Sequence, residues 1–207
     1  MRVLQLFGIL LTTLLLSACA ATQSLSEPDR ARAKTVTVSS KVEVGQLFLL
    51  APGGANTVAM MKAASFVSSD SRNTDPASFS KLTESHGISI DTIVREEFEK
   101  VLRESGKLTV ASVGAAGVPS LRIAVPQYGF GVRHMLSTNV VAVMQLQCTL
   151  TDSSGKVMWS ENERIFPSIA SSMDIMQWSN LIDNPALIEE QYRKAARYLA
   201  KIMVARL

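Results

Sequence analysis

NVVAVMQLQCTLTDSSGKVMWSENERI, residues 139–165, is the stretch from which the fold is read. Val140, Ala142, Met144, Leu146, Cys148 and Leu150 fall on alternate positions, so a strand places them all on one face. The other face mixes Val141 and Val143 with Gln145, Gln147 and Thr149. Asp152-Ser153-Ser154-Gly155 is turn chemistry, and Lys156 to Ile165 returns with Val157, Trp159 and Ile165. The segment therefore reads as a β-hairpin.

Upstream, Leu121, Ile123 and Val125 alternate before Pro126, and the segment runs on through Tyr128-Gly129-Phe130-Gly131-Val132. A proline inside a strand predicts an edge or a bulge. Leu108 to Val113 reads as a further strand, followed by a turn over Gly114 to Pro119. Val36 to Leu50 alternates in pieces, as Val36 and Val38, Val42 and Val44, then Leu47 and Leu49. The slip in phase predicts one long strand or two short ones with a bulge near Gly45. Ala51-Pro52-Gly53-Gly54 is a turn; Val58 to Val67 is open between helix and strand; residues 68–86, rich in Ser, Asp and Asn, read as a loop.

Two helices are expected. In Ser89 to Ser105 the stripe Ile90, Ile93, Val94, Phe98, Val101, Leu102 has three-and-four spacing, with Glu96, Glu97 and Glu99 among the charges opposite. Ser89 is placed to cap it and Gly106 to end it in the left-handed conformation. After an irregular Pro167 to Leu181, Asn184 and Pro185 open a second helix. Its stripe runs Leu187, Ile188, Tyr192, Ala195, Ala196, Leu199, Ile202, Met203, Leu207. The expected fold is α+β: a two-layer domain over residues 36–207 whose largely antiparallel sheet is packed by two amphipathic helices.

The N-terminus specifies a compartment. Arg2 precedes an apolar run from Val3 to Leu16 that is too short for a membrane span and reads as an export signal over residues 1–18. Leu16-Ser17-Ala18-Cys19 resembles the lipobox of bacterial lipoproteins. The resemblance implies cleavage after Ala18, a diacylglycerol on the Cys19 thiol and, in many bacteria, an acyl chain such as palmitate on the freed amine. Two or more chains anchor stably where one holds marginally. The alternative is a secreted protein whose signal happens to place a cysteine there. Residues 20–35, with no apolar period and with Pro28, read as a flexible tether of roughly 20–25 Å mean span. Ala20, where an Asp would retain enteric-type lipoproteins at the inner membrane, points to the periplasmic face of the outer membrane.

Leu102-Arg103-Glu104-Ser105-Gly106-Lys107-Leu108-Thr109-Val110 and Asp152-Ser153-Ser154-Gly155-Lys156-Val157-Met158-Trp159 carry a further resemblance. Their order resembles small periplasmic lipoproteins related to the curli secretion channel and the penicillin-binding-protein activators, over residues 88–207. ABC-transport auxiliary lipoproteins look similar at this level. The resemblance implies no catalytic residue, because those families are not enzymes. No pair of long alternating segments is spare for a membrane-crossing hairpin, so pore formation is not expected.

Chemistry is sparse. The charge balance is 21 basic against 18 acidic residues, spread along the chain, which argues against a nucleic-acid protein. Cys148 falls in the apolar alternation and reads as core; an intermolecular disulfide is the other option. His86 and His134 have no companion ligands at metal spacing, so no metal or cofactor is expected. Glu96/Glu97 and Glu189/Glu190 are adjacent on helices and read as solvated charges. Met173, Ile175, Met176 and Trp178 bring large apolar side chains into an irregular region. They read either as core folded over one end of the sheet or as an adaptable contact for a partner protein or lipid. The expected function is a non-enzymatic, lipid-anchored envelope accessory or assembly factor working by protein contact, with a homo-oligomer possible. The alternative is a lipid- or hydrophobe-binding auxiliary of an envelope transport system.

Overall fold

A computed structural model describes residues 22–52, 73–133, 137–167 and 173–207. The hairpin is its centre: β5 (Asn139–Thr151) pairs antiparallel with β6 (Val157–Ile165) and, on its other side, with β4 (Ser120–Val132). The turn is fixed by Asp152, whose Oδ1 accepts from the backbone N–H of Ser154 (2.9 Å) and of Lys156 (3.0 Å). In β4 the register slips between Ala124 and Gln127, so Pro126 sits in a bulge, as a residue without an N–H requires.

The outer part of the sheet differs from a simple meander. Strands β1 (Thr35–Val38) and β2 (Glu43–Leu50) both run parallel to β4, β1 beside its first residues and β2 from Ala124 to Gly131. The short β3 (Thr109–Ala111) lies parallel beside β1. The sheet is mixed, mostly antiparallel. Parallel pairs need long crossover connections, and two helices lie between β2 and β3. The strand break falls at residues 39–42 rather than near Gly45, where the Ser39 hydroxyl donates to the Lys41 carbonyl at 3.0 Å. Backbones approach most closely where Gly129 lies opposite Phe48. Gly129 has φ 144°, and a Cβ there would fall 1.8 Å from the Phe48 carbonyl oxygen.

The connection between β2 and β3 holds α2 (Pro76–Ser85) and α3 (Ile90–Ser105). The expected loop over residues 68–86 is corrected for its second half. Asp75 caps α2, accepting from Ser78 N–H at 2.9 Å, Pro76 opens it, and Phe79 is fully buried. The ambiguous Val58 to Val67 lies outside the described residues. Helix α3 matches its expected stripe and stops at Gly106 with φ 63°. Ser89 holds the N-cap position, but its hydroxyl turns to the side chains of Asp91 and Thr92 instead of a backbone N–H.

The last helix is α5 (Pro185–Ala205), which packs against α3 and over β5 and β6. Glu97 corrects the solvated-charge reading. It is 5% exposed and sits between the two helices, accepting from Arg197 at 2.7 Å and Arg193 at 3.4 Å. Arg193 also bridges Glu96 (3.0 Å) and Glu189 (2.8 Å). A stripe read from one helix cannot show that the neighbouring helix brings arginines to its margin.

The N-terminal segment corrects the expected tether. Gln23 exchanges two backbone hydrogen bonds with Ser160 of β6, at 2.9 and 3.1 Å. Leu25 is buried, and α1 (Glu27–Arg32) follows, capped by the Ser26 hydroxyl, which accepts from Asp29 N–H at 3.3 Å. Arg30 donates to the Leu207 carbonyl, tying this helix to the chain's other end. From Gln23 onward the segment is part of the body. With Leu25 and Ala33 its main apolar contacts, it carries too little periodicity to be read as a helix.

Candidate functional site

A cleft of about 340 Å³ opens between α2, β2 and the start of α3. Val42, Val44, Ile88 and Ile90 form its apolar walls, and Ser80, Thr83, Glu84 and Asp91 its polar ones. Tyr128 from β4 and Tyr192 from α5 complete the lining. The β2–β4 pairing brings Val44 beside Val125, three residues before Tyr128; the docking of α2 brings the polar wall.

The aromatic side of the cleft continues into the core. Tyr128 meets Tyr192 edge-on, with centroids 5.9 Å apart, and Tyr192 meets Phe130 at 5.1 Å. Phe130 then contacts Phe79 at 5.9 Å, and Phe79 stacks on Trp178 at 5.7 Å. Tyr192 is fully buried, and its hydroxyl has no hydrogen-bond partner among the described residues. An unpaired buried hydroxyl costs about 1–3 kcal/mol. Burial pushes the Tyr192 phenol well above its usual range, and the neighbouring Tyr128 adds to this. Burial also raises Tyr128, with a smaller contribution from the charge of Glu84.

Electrostatically the cleft is one-sided. Glu84 and Asp91 stand exposed at its edge, and among the described residues no lysine, arginine or histidine lines it. Asp91 is held below the usual carboxylate range, first by the Ser89 hydroxyl and then by the Thr92 N–H, with Arg95 adding a little. Arg95 itself pairs with Glu99 at 3.6 Å.

The residues singled out from the sequence are dispersed. Cys19 lies outside the described residues, as does His134. His86 is exposed at the end of α2, its Nδ1 2.9 Å from the Leu82 carbonyl. Of the two readings of Met173, Ile175, Met176 and Trp178, the packing follows core folded over one end of the sheet. Met173 and Trp178 are buried, 7% and 2% exposed, and only Ile175 stands well out, at 47%. Met176 forms the two-residue β7 (Met176–Gln177) against Val140, and Trp178 begins α4 (Trp178–Asp183) in the core. The segment closes one end of the sheet. Cys148 is fully buried beside the Met203 sulfur, and burial pushes its thiol far up.

Sequence reasoning missed the cleft because it missed α2. Asp75-Pro76 followed by Phe79 and Leu82 was the available signal: a cap, a first-turn proline and two apolar residues three apart. Among the described residues, no group of three His, Cys, Asp or Glu side chains is placed to hold a metal ion. No helix there is long and apolar enough to cross a membrane.

No family model matches the chain, and no curated protein matches it in sequence. Among solved structures, it resembles a DUF330 protein from Xanthomonas campestris with 12% identity and a TM-score of 0.40, over 90% of this chain and 93% of that one. It also resembles the PelC dodecamer from Paraburkholderia phytofirmans, with 15% identity and a TM-score of 0.34, over 87% and 95%. A third is the lipoprotein GNA1162 from Neisseria meningitidis, with 15% identity and a TM-score of 0.25, over 75% and 96%. At overlaps this loose, these proteins lend no partner and no process to the chain.

Proposed function

We propose that this chain is a lipid-anchored protein of the bacterial envelope, moored through Cys19, which works by contact with a partner protein and catalyses nothing. The observation that carries the reading is Leu16-Ser17-Ala18-Cys19 at the end of a short apolar run opened by Arg2. The described body agrees with it. Several of its carboxylates serve caps, such as Asp75, or ion pairs, such as Glu97 with Arg197, and its described thiol, Cys148, is sealed in the core. Ala20 supports placement at the outer membrane, and self-association is part of the proposal.

Intact-mass analysis of the membrane-extracted protein tests the anchor. The expected result is a mature chain beginning at Cys19 and carrying acyl chains. A free thiol at Cys19, or a mature terminus elsewhere, overturns it. In-cell crosslinking should then recover an envelope protein or a second copy.

The cleft favours a second reading, a hydrophobe-binding auxiliary of a transport system. Its volume lies near the lower end of the ~300–1,000 Å³ of ligand pockets, which suits one small apolar group better than a two-chain lipid. Native mass spectrometry of detergent-free protein should then show a bound small molecule.

A further inference from the structure

We propose that the cleft between α2 and β2 binds an ammonium group carried on an apolar stem. The inference rests on the cleft alone and stands whether or not Cys19 is acylated.

Three observations converge. The first is the Tyr192 hydroxyl, fully buried, part of a residue lining the cleft, and without a partner. Such a group is retained at a cost unless something enters to pair with it. A phenol oxygen accepts as well as donates, so it can take an N–H from an ammonium, which has only donors.

The second is charge. Among the described residues Glu84 and Asp91 are the charged side chains of the rim, and Arg95, the cation that acts on Asp91, is engaged by Glu99. Lys81 sits on the same helix and lines none of the cleft. An anion would meet two carboxylates, whereas a cation meets two of its own counter-charges.

The third is shape. Val44, Ile88 and Ile90 offer apolar wall along the approach to the tyrosines, and about 340 Å³ accommodates a single alkyl chain. Val44 is left 41% exposed for a valine on a paired strand, and a stem lying against it would cover it. The ligand chemistry is shared by a free alkylamine and by a lysine side chain of a protein partner.

The protein has three tyrosines, and only Tyr198 lies outside the cleft. The full-length chain labelled with 3-fluorotyrosine, in a non-ionic detergent, therefore gives two reporters and one internal control by fluorine NMR. The probes are n-hexylamine, N-acetyl-lysine N-methylamide, n-hexanol and hexanoate. Both amines are expected to move the Tyr128 and Tyr192 signals and leave Tyr198 in place. Response to the lysine derivative alone also supports the proposal and assigns the ligand to a peptide. Glu84→Gln should weaken amine binding about fivefold, the size of one lost charge-assisted contact in a partly exposed site. Tyr192→Phe should weaken it similarly, read from Tyr128, while leaving the fold at least as stable. Hexanol binding as tightly as hexylamine would leave a plain hydrophobe site and overturn the proposal. Hexanoate binding best, no response to either amine, or Glu84→Gln without effect would overturn it equally.

Discussion

Phe79→Ala tests the element that the sequence hid. Phe79 is 0% exposed and touches both Phe130 and Trp178, so its ring joins α2 to the sheet and to α4. Truncating a buried phenylalanine to alanine costs about 3–5 kcal/mol, the transfer loss plus the cavity. A domain holds only about 5–15 kcal/mol in total, so this single change removes at least about a fifth of it. For a chain of this length the loss corresponds to a fall in Tm of roughly 6–20 °C. Urea unfolding followed by tryptophan fluorescence reads the change, since Trp178 stacks directly on the deleted ring. Combining Phe79→Ala with Trp178→Ala should recover a coupling of about 0.5–1.5 kcal/mol, the usual worth of an aromatic pair beyond its area. Lys81→Ala, on the exposed side of the same helix, should stay within about 0.5 kcal/mol of the parent. A Phe79→Ala cost under about 1 kcal/mol would refute the docking of α2, and with it the cleft that this helix walls.

Gly129→Ala should abolish a cooperative unfolding transition, because its Cβ would fall 1.8 Å from a backbone oxygen of β2; a soluble variant with parent-like Tm refutes that approach. Cys148 should resist maleimide at pH 8 in the folded protein and react once urea unfolds it, since burial both covers the thiol and raises its pKa. Rapid native labelling at that residue would contradict this. Asp29, Asp75, Asp91, Asp152 and Asp174 are all held below the usual carboxylate value, the first four mainly by serine hydroxyls and Asp174 mainly by Lys194. A depressed folded pKa contributes stability above the unfolded value and loses it as pH falls. Melting scans should therefore be flat from about pH 7 to 5 and decline below about pH 4. A Tm unchanged to about pH 2 would remove that linkage.

The hairpin and the two long helices were legible because their signals are local. Alternation from Val140 to Leu150, a turn built on Asp152, and a three-and-four stripe from Ile90 to Leu102 need no knowledge of neighbours. Strand direction was not legible, since Val36 and Val38 alternate identically whether the partner strand runs with them or against them. The cleft was illegible for a related reason. Tyr128 and Tyr192 stand 64 positions apart, and only the packing of α5 on the sheet brings them together. Trp178 read either as core or as a contact, and the sequence could not decide, because the partner that settles it is Phe79 on a helix half written in Ser, Thr and Lys.

The strand-like docking of Gln23 on Ser160 sets a dimension that a loose leader would not. Gln23 follows Cys19 by four positions, a covalent reach of at most about 14 Å. A molecule acylated at Cys19 would thus lie against the bilayer as a hinged plate, unable to drift outward on a long line. Its β6 margin would be turned toward the headgroups, and encounters would be confined to the flanks and the crown. Partner search then becomes a two-dimensional problem in a layer one molecule deep.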